Sequence, residues 1–254
     1  MSRGLKKKII ERLSSDRPDA VLSFLESVAP REAITPLISA LYSQDQCVRW
    51  NAIAALGRVL ARMAQDDDME HARTIMRRFI WSLNDESGGI GWGAAEAMAE
   101  AMVQHKGLYE EYARILLSYI REDGNYLEYP PLRRGALWGI GRLGHVRPSL
   151  LREIGARAYL LPYLQDSDAQ SRALAAWALG AVGETDDIPS IEGLLNDREP
   201  VDIYIDGSLR HLTVGQVARQ AIERLGGGMD HEVISFRPDQ GDSRINLSAS
   251  ADSS

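Results

Sequence analysis

RWNAIAALG (Arg49–Gly57), GWGAAEAMA (Gly91–Ala99), RRGALWGIG (Arg133–Gly141), RALAAWALG (Arg172–Gly180) and ARQAIERLG (Ala218–Gly226) lie over one another so that an Ala/Leu-rich helix ending at or near a Gly falls in the same register each time. Their offsets are 42, 42, 39 and 46 residues. Periods of roughly 40–47 residues are those of solenoids whose units are pairs of antiparallel helices. Each unit packs only on its neighbours, so the chain is expected to form one continuous stack. The reading is all-α: a right-handed α-solenoid of about five helical hairpins, with an N-terminal helical cap and one inserted β-hairpin.

Outward from the repeats, Leu5, Ile9, Ile10 and Leu13 recur at helical spacing, and Asp16 followed by Pro18 reads as a stop and a new start. Residues 1–30 are therefore read as capping helices and 31–226 as the solenoid. Residues 227–254, without helical period and ending in Ser, Ala and Asp, read as an irregular or disordered tail. Each unit supplies an outer helix whose last large apolar residue is Leu41, Leu83, Ile120, Leu164 or Leu195. From there to the repeated stretch is 8 residues in units one, two and four, 13 in unit three and 23 in unit five. Both additions fall in the turn between paired helices, on one edge of the stack. The first, REDGNYLEYPP, carries Asp123-Gly124 and Pro130-Pro131. The second, VDIYIDGSLRHLTV, alternates around Asp206-Gly207, a strong hairpin signal. It predicts a β-hairpin at about 200–214, with Ile205 facing Ser208, Tyr204 facing Leu209 and Asp202 facing His211. Unit two fills its turn with glycines, ESGGIGWG. Elaboration of one edge is where solenoids commonly bind, although tolerated surface insertion accounts for it equally.

The balance of 29 Lys+Arg against 36 Asp+Glu gives −7, which repels phosphate backbones on average and argues against nucleic acid. One cysteine, Cys47, allows neither an internal disulfide nor a Cys-x-x-Cys metal pair. No segment approaches about 18 uninterrupted apolar residues, so no membrane span is expected and a cytoplasmic location is the default.

Asp45/Arg49/Ile53/Leu56/Gly57 and Asp168/Arg172/Ala176/Leu179/Gly180 resemble the HEAT-like repeats of the type named after phycobilisome lyases. The resemblance spans roughly residues 31 to 226. It implies a solenoid in which Asp45, Arg49, Arg133, Asp168 and Arg172 form a structural ladder along the turns, interrupted by Gly91. ESGGIGWGAAEAM and LRRGALWGIGRLG also resemble uncharacterised HEAT-repeat proteins of anaerobic sulfate-reducing microbes. That likeness carries no activity.

Counting Arg49, Gly91, Arg133, Arg172 and Ala218 as position 0 and advancing about 100° per residue, small and aliphatic side chains gather on one side and positions 1 and 5 point the opposite way. Trp50 and Trp92 hold position 1, and Trp138 and Trp177 position 5, accompanied by Glu96, Arg134, Arg219, Glu223, His145 and Glu184. Two readings stay open. Either the indoles line an open concave groove as partner anchors, or they fill the groove as an internal core. The candidate partner-binding set is Trp50, Trp92, Glu96, Arg134, Trp138 and Trp177, with Gly89, Tyr126 and Tyr204 from the elaborated edge. Trp81, on an outer helix, reads as ordinary packing.

Catalytic patterns are scarce. His71, His105, His145, His211 and His231 show no spacing that would put two ligands on one helical face. Deoxyhypusine hydroxylases, a helical-repeat enzyme family, use several His-Glu pairs to hold iron; here the one such pair is His231-Glu232. Gly88, Gly89, Gly91 and Gly93 lack the strand or the Gly-Lys-Ser/Thr of a phosphate cradle. Cys47 sits at the mouth of the first inner helix and reads as structural rather than nucleophilic. No catalytic residue, cofactor or metal is assigned. The function expected is a non-enzymatic scaffold or adaptor that binds a protein partner. The alternative, implied by the resemblance, is a phycobilisome-lyase-like protein that holds a tetrapyrrole. A DNA glycosylase of helical-repeat type is disfavoured by Glu96, Glu184 and Glu223 in the expected groove.

Overall fold

The computed structural model describes residues 3–15, 17–85 and 91–227. Thirteen α-helices and one β-hairpin make up these residues. Helices α1 (Arg3–Ser15) and α2 (Pro18–Glu26) form the N-terminal pair, Pro18 opening α2 where no N–H is needed. Outer and inner helices then alternate: α3 (Pro30–Ala40) with α4 (Gln46–Gln65), α5 (Met69–Leu83) with α6 (Ala94–Gln104), and α7 (Lys106–Ser118) with α8 (Pro130–Val146). In the fourth unit α9 (Pro148–Glu153), α10 (Ala156–Leu160) and a 3-10 turn (Leu161–Gln165) stand for the outer helix before α11 (Ala169–Val182). The fifth runs α12 (Ile188–Glu192), strands β1 (Pro200–Ile205) and β2 (Ser208–Thr213), then α13 (Val214–Leu225). The inner helices α4, α6, α8, α11 and α13 pack each on the next. One core runs from Ile9 to Ala221. The expected irregular tail, from residue 228 on, lies outside the described residues, as do His231-Glu232 and Asp16.

The repeated glycine does a different job from the one expected of it. Helices α4, α8 and α11 continue past Gly57, Gly141 and Gly180. A Cβ on Gly57 would stand 2.5 Å from the Glu100 Cβ of α6, one on Gly141 2.4 Å from the Trp177 ring of α11, and one on Gly180 2.9 Å from the Ala221 Cα of α13. Where the repeat carries glycine in these units, consecutive inner helices lie too close for any side chain between them. Only in the fifth unit does the helix end there, with Gly226 as its C-cap.

The turns carry the polar scaffold. Asp45 caps α4 by accepting from the Cys47 N–H at 2.8 Å, and Asp168 caps α11 by accepting from the Ser171 N–H at 2.9 Å. Arg134, rather than Arg133, reaches Asp168, with contacts of 2.8 and 2.5 Å. Arg172 pairs with Asp197 in the following unit at 2.6 Å, and Arg133 donates to the Leu127 carbonyl at 2.8 Å. The ladder is thus an inter-unit chain of arginine contacts, concentrated in units three to five. In the unit-three addition Leu127 turns back into the core, and Pro130 starts α8.

The hairpin forms in the expected register: Ile205 opposite Ser208, Tyr204 opposite Leu209, Asp202 opposite His211. Asp206 and Gly207 both take positive φ, 50° and 75°, the backbone of a type I′ turn.

Candidate interaction surface

The indoles at positions 1 and 5 do meet. Trp50 and Trp138 have ring centroids 4.8 Å apart, Trp138 and Trp177 6.4 Å, and the His145 imidazole stacks on Trp177 at 4.7 Å. This row runs across the inner helices α4, α8 and α11. It is not open. The hairpin leaves the loop edge of unit five and lies along the trough, so that Tyr204 stacks flat on Trp50 at 4.4 Å with an interplanar angle of 3°. Trp138 Nε1–H donates to the Tyr204 carbonyl at 2.9 Å. Trp138 and Trp177 are 3% and 9% exposed. Trp50 is half-buried, and its Nε1 has no hydrogen-bond partner among the described residues, so stacking is what orients the ring. The expectation of accessible anchors is corrected here: fourteen residues of inserted chain, built to alternate, supply their own occupant for the groove. Tyr204, assigned to the edge, is the residue that fills it.

The hairpin is held from several sides. Gln170 of α11 pairs its side-chain amide with the backbone of Asp202, donating to the carbonyl at 2.7 Å and accepting from the N–H at 3.2 Å. Val201 and Ile203 are buried. At the tip, Gly207 lies near Pro18 at the start of α2, where a Cβ on it would stand 4.0 Å from the Pro18 Cγ. Burial pushes the Tyr204 hydroxyl up to about 12, helped by the negative charge of Glu100 and by Cys47. Beneath it Glu100, 7% exposed, binds Arg142 at 2.6 Å.

The remaining candidates scatter. Glu96 lies against Gly135 of α8, where a Cβ would come within 2.6 Å of its carboxylate. Burial raises its pKa to about 7, opposed by its own backbone N–H and the charge of Arg49. Arg134 is engaged with Asp168 and is no free anchor. Trp92 falls outside the indole row, because α6 begins only at Ala94, after Gly93 takes the left-handed conformation at φ 71°; a residue before the helix does not follow its angular spacing. It packs edge-on against Tyr129 at 6.4 Å. Tyr126, half-buried, lies under the Arg133 guanidinium at 5.1 Å. Gly89 lies outside the described residues. Trp81 is on an outer helix as expected, but 64% exposed rather than packed. Cys47 is exposed at the start of α4.

What stays accessible is the loop edge. Tyr42, after α3, is 44% exposed and Tyr129, before α8, 47%. Trp92 lies between their turns: it touches Tyr129, and its neighbour Gly93 rests on Leu41. The turns of three consecutive units thus carry Tyr42, Trp92 and Tyr129, of which Trp92 and Tyr129 touch. Separately, a cleft of about 290 Å³ opens between α8, α11 and α13, lined by His145, Arg152, Glu184 and Arg224. Among the described residues no three of His, Cys, Asp and Glu gather as metal ligands, and no helix is long and apolar enough to cross a membrane.

Residues 130–182, covering α8 to α11, match the model of the HEAT-like repeat. These residues form a HEAT-like repeat. An uncharacterised protein of Archaeoglobus fulgidus is 26% identical over 188 residues, covering 72% of this chain and 90% of that protein. Among solved structures, a designed armadillo repeat protein in complex with the peptide (KR)4 is 17% identical, with TM-score 0.50 over 86% of this chain and 98% of its own. An engineered protein, also 17% identical, has TM-score 0.50 over 90% of this chain and all (100%) of its own. These likenesses place the fold among HEAT and armadillo-like solenoids.

The residues that sequence reasoning missed are Gln170, Tyr42, Tyr129 and the pair Glu100–Arg142. The last had a signal: both stand nine residues into their repeats, in adjacent units and with opposite charge. Gln170 had none, since nothing in α11 announces that a strand will lie beside it.

Proposed function

We propose that this HEAT-like repeat chain is a non-enzymatic scaffold that binds a protein partner through its aromatic loop edge, not through the concave trough. The observation that carries the reading is the run of Tyr42, Trp92 and Tyr129 on three consecutive turns, two of them close to half exposed. Large aromatic rings on a surface are the usual hot spots of protein interfaces, and they cost water-exposed apolar area that a purely structural edge does not require. Tyr126 belongs to the same edge. The trough residues Trp50, Trp138 and Tyr204 serve in this reading to hold the hairpin, which stiffens the stack behind the edge. A fold of this kind, as in the designed armadillo protein solved with a peptide, suits binding along an extended surface.

The test is affinity purification from the native cell, identification of the captured protein, and titration of that purified partner against wild type, Trp92→Ala and Tyr129→Ala. A loss of about 2 kcal/mol or more for either variant, with unchanged melting, supports the edge. Full affinity in both variants refutes it. An absorbance change on titration with haem would move the reading to tetrapyrrole binding.

A further inference from the structure

We propose that the outer edge of β2 is a second docking site, where an extended acidic segment of a partner protein adds as a third strand. The argument begins with the parity of the hairpin. A two-residue type I′ turn makes Ile205 and Ser208 a hydrogen-bonded pair, so the backbone groups of Tyr204 and Leu209, and of Asp202 and His211, point away from the ladder. On β1 three of these four outward groups are taken up by the body of the protein: Gln170 holds the N–H and C=O of Asp202, and Trp138 the carbonyl of Tyr204. On β2 none of the described residues bonds the N–H or C=O of Leu209 or His211. Thr213 closes the far end, its N–H turned to Gln216 in the capping box of α13.

One edge of the sheet is therefore held by side chains, while the other is unpaired among the described residues. A free two-stranded hairpin is marginal in water and offers an ill-defined edge, but this one is pinned by buried Val201 and Ile203 and by the Tyr204–Trp50 stack. An unpaired edge held rigid is the template that β-augmentation uses.

The side chains choose the occupant. Arg210 and His211 are exposed, one on each face of β2, between half-buried Leu209 and Leu212. A second copy of the chain is disfavoured: antiparallel pairing centred on Arg210 or on His211 sets like residues opposite each other. A strand alternating carboxylates with aliphatic residues meets Arg210 with opposite charge on one face and covers Leu209 on the other. The site shares no residue with the aromatic loop edge, so Trp92→Ala and Tyr129→Ala leave it intact.

The experiment titrates the full chain with an acetylated, amidated hexapeptide of alternating Glu and Val, and with its Lys–Val counterpart, following backbone amides by NMR. The Glu–Val peptide is expected to shift the Leu209 and His211 amides and slow their exchange with solvent, and the Lys–Val peptide to leave them unchanged. Leu209→Pro removes an outward N–H without touching the β1–β2 ladder and should weaken binding at least tenfold. Arg210→Glu, which keeps the backbone, should reverse the preference between the peptides. No binding up to millimolar peptide, equal binding of both peptides, or binding indifferent to both variants overturns the proposal. So does a dimer in sedimentation that Leu209→Pro dissociates.

Discussion

Glu96 and His145 place opposite demands on the pH dependence of stability, and replacing either one should expose the other. Burial raises the Glu96 carboxyl from an ordinary 4.5 to about 7. The folded chain therefore holds a proton that the unfolded chain releases, and this contribution is present below about pH 4.5 and lost as the pH rises to about 7. His145 behaves inversely. Burial, with the positive charges of Arg224 and Arg142, lowers it from 6.5 to about 4, while its Nε2–H donates to the Trp177 carbonyl at 3.1 Å. Its neutral form is the folded one, so its contribution is present above about pH 6.5 and lost as the pH falls to about 4. Each rise or fall, at ~1.4 kcal/mol per pH unit, sets a ceiling of ~3 kcal/mol, which water reaching these half-buried groups reduces to ~2 kcal/mol. Between about pH 4.5 and 6.5 the two nearly cancel. Urea unfolding of wild type, Glu96→Gln and His145→Gln across that range should show a shallow wild-type profile. Stability should climb with pH by ~1 kcal/mol per unit relative to wild type in Glu96→Gln and fall by as much in His145→Gln. His105, also lowered by burial, adds a rise common to all three proteins. Parallel profiles for the three would refute the burial assigned to both groups.

Three further outcomes follow from the packing. Tyr204→Ala should cost ~2–4 kcal/mol, since it removes a ring stacked on Trp50, and should red-shift tryptophan emission as the trough admits water; an unchanged spectrum would mean the hairpin does not cover the indoles. Gly57→Ala puts a methyl group 2.5 Å from the Glu100 Cβ and close to its backbone, forcing α4 from α6 at ~2 kcal/mol or more, measured by thermal melting. Trp138→Ala should destabilise by ~3–5 kcal/mol as a core deletion, whereas Trp92→Ala should change stability by less than ~1 kcal/mol; equal effects would contradict their different burial.

The architecture was legible because repetition multiplies a weak signal: no single copy of the Ala/Leu-rich stretch fixes a solenoid, but five in register do. The hairpin was legible to the level of cross-strand partners, because Asp206-Gly207 admits the positive φ values that a type I′ turn needs. Sequence spacing placed Trp50, Trp138 and Trp177 on one side, and they touch in that order. It did not reveal that the hairpin lies over them. Local alternation says that a strand forms, while the surface it meets depends on contacts between residues 66 or more apart, such as Trp138 with Tyr204. Trp92 was misplaced for a simpler reason: the helical angle was extended to a residue two places before the helix starts at Ala94, across a left-handed Gly93.

The filled trough also decides which surfaces are cheap to use. A flat pigment or a peptide side chain seeking Trp50 must first expel Tyr204, whose strand is tied to Gln170 and Trp138 and whose tip rests near Pro18. Because the hairpin is joined to the chain at both ends, it competes at an effective concentration in about the millimolar range or above. With a hairpin whose own intrinsic affinity for the trough is about micromolar, any trough ligand would thereby lose about three orders of magnitude. A partner at the loop edge, or a strand added to β2, displaces nothing and keeps its full interaction energy. The hairpin of the fifth unit thus covers the indole row and leaves the N–H and C=O of Leu209 and His211 without partners among the described residues.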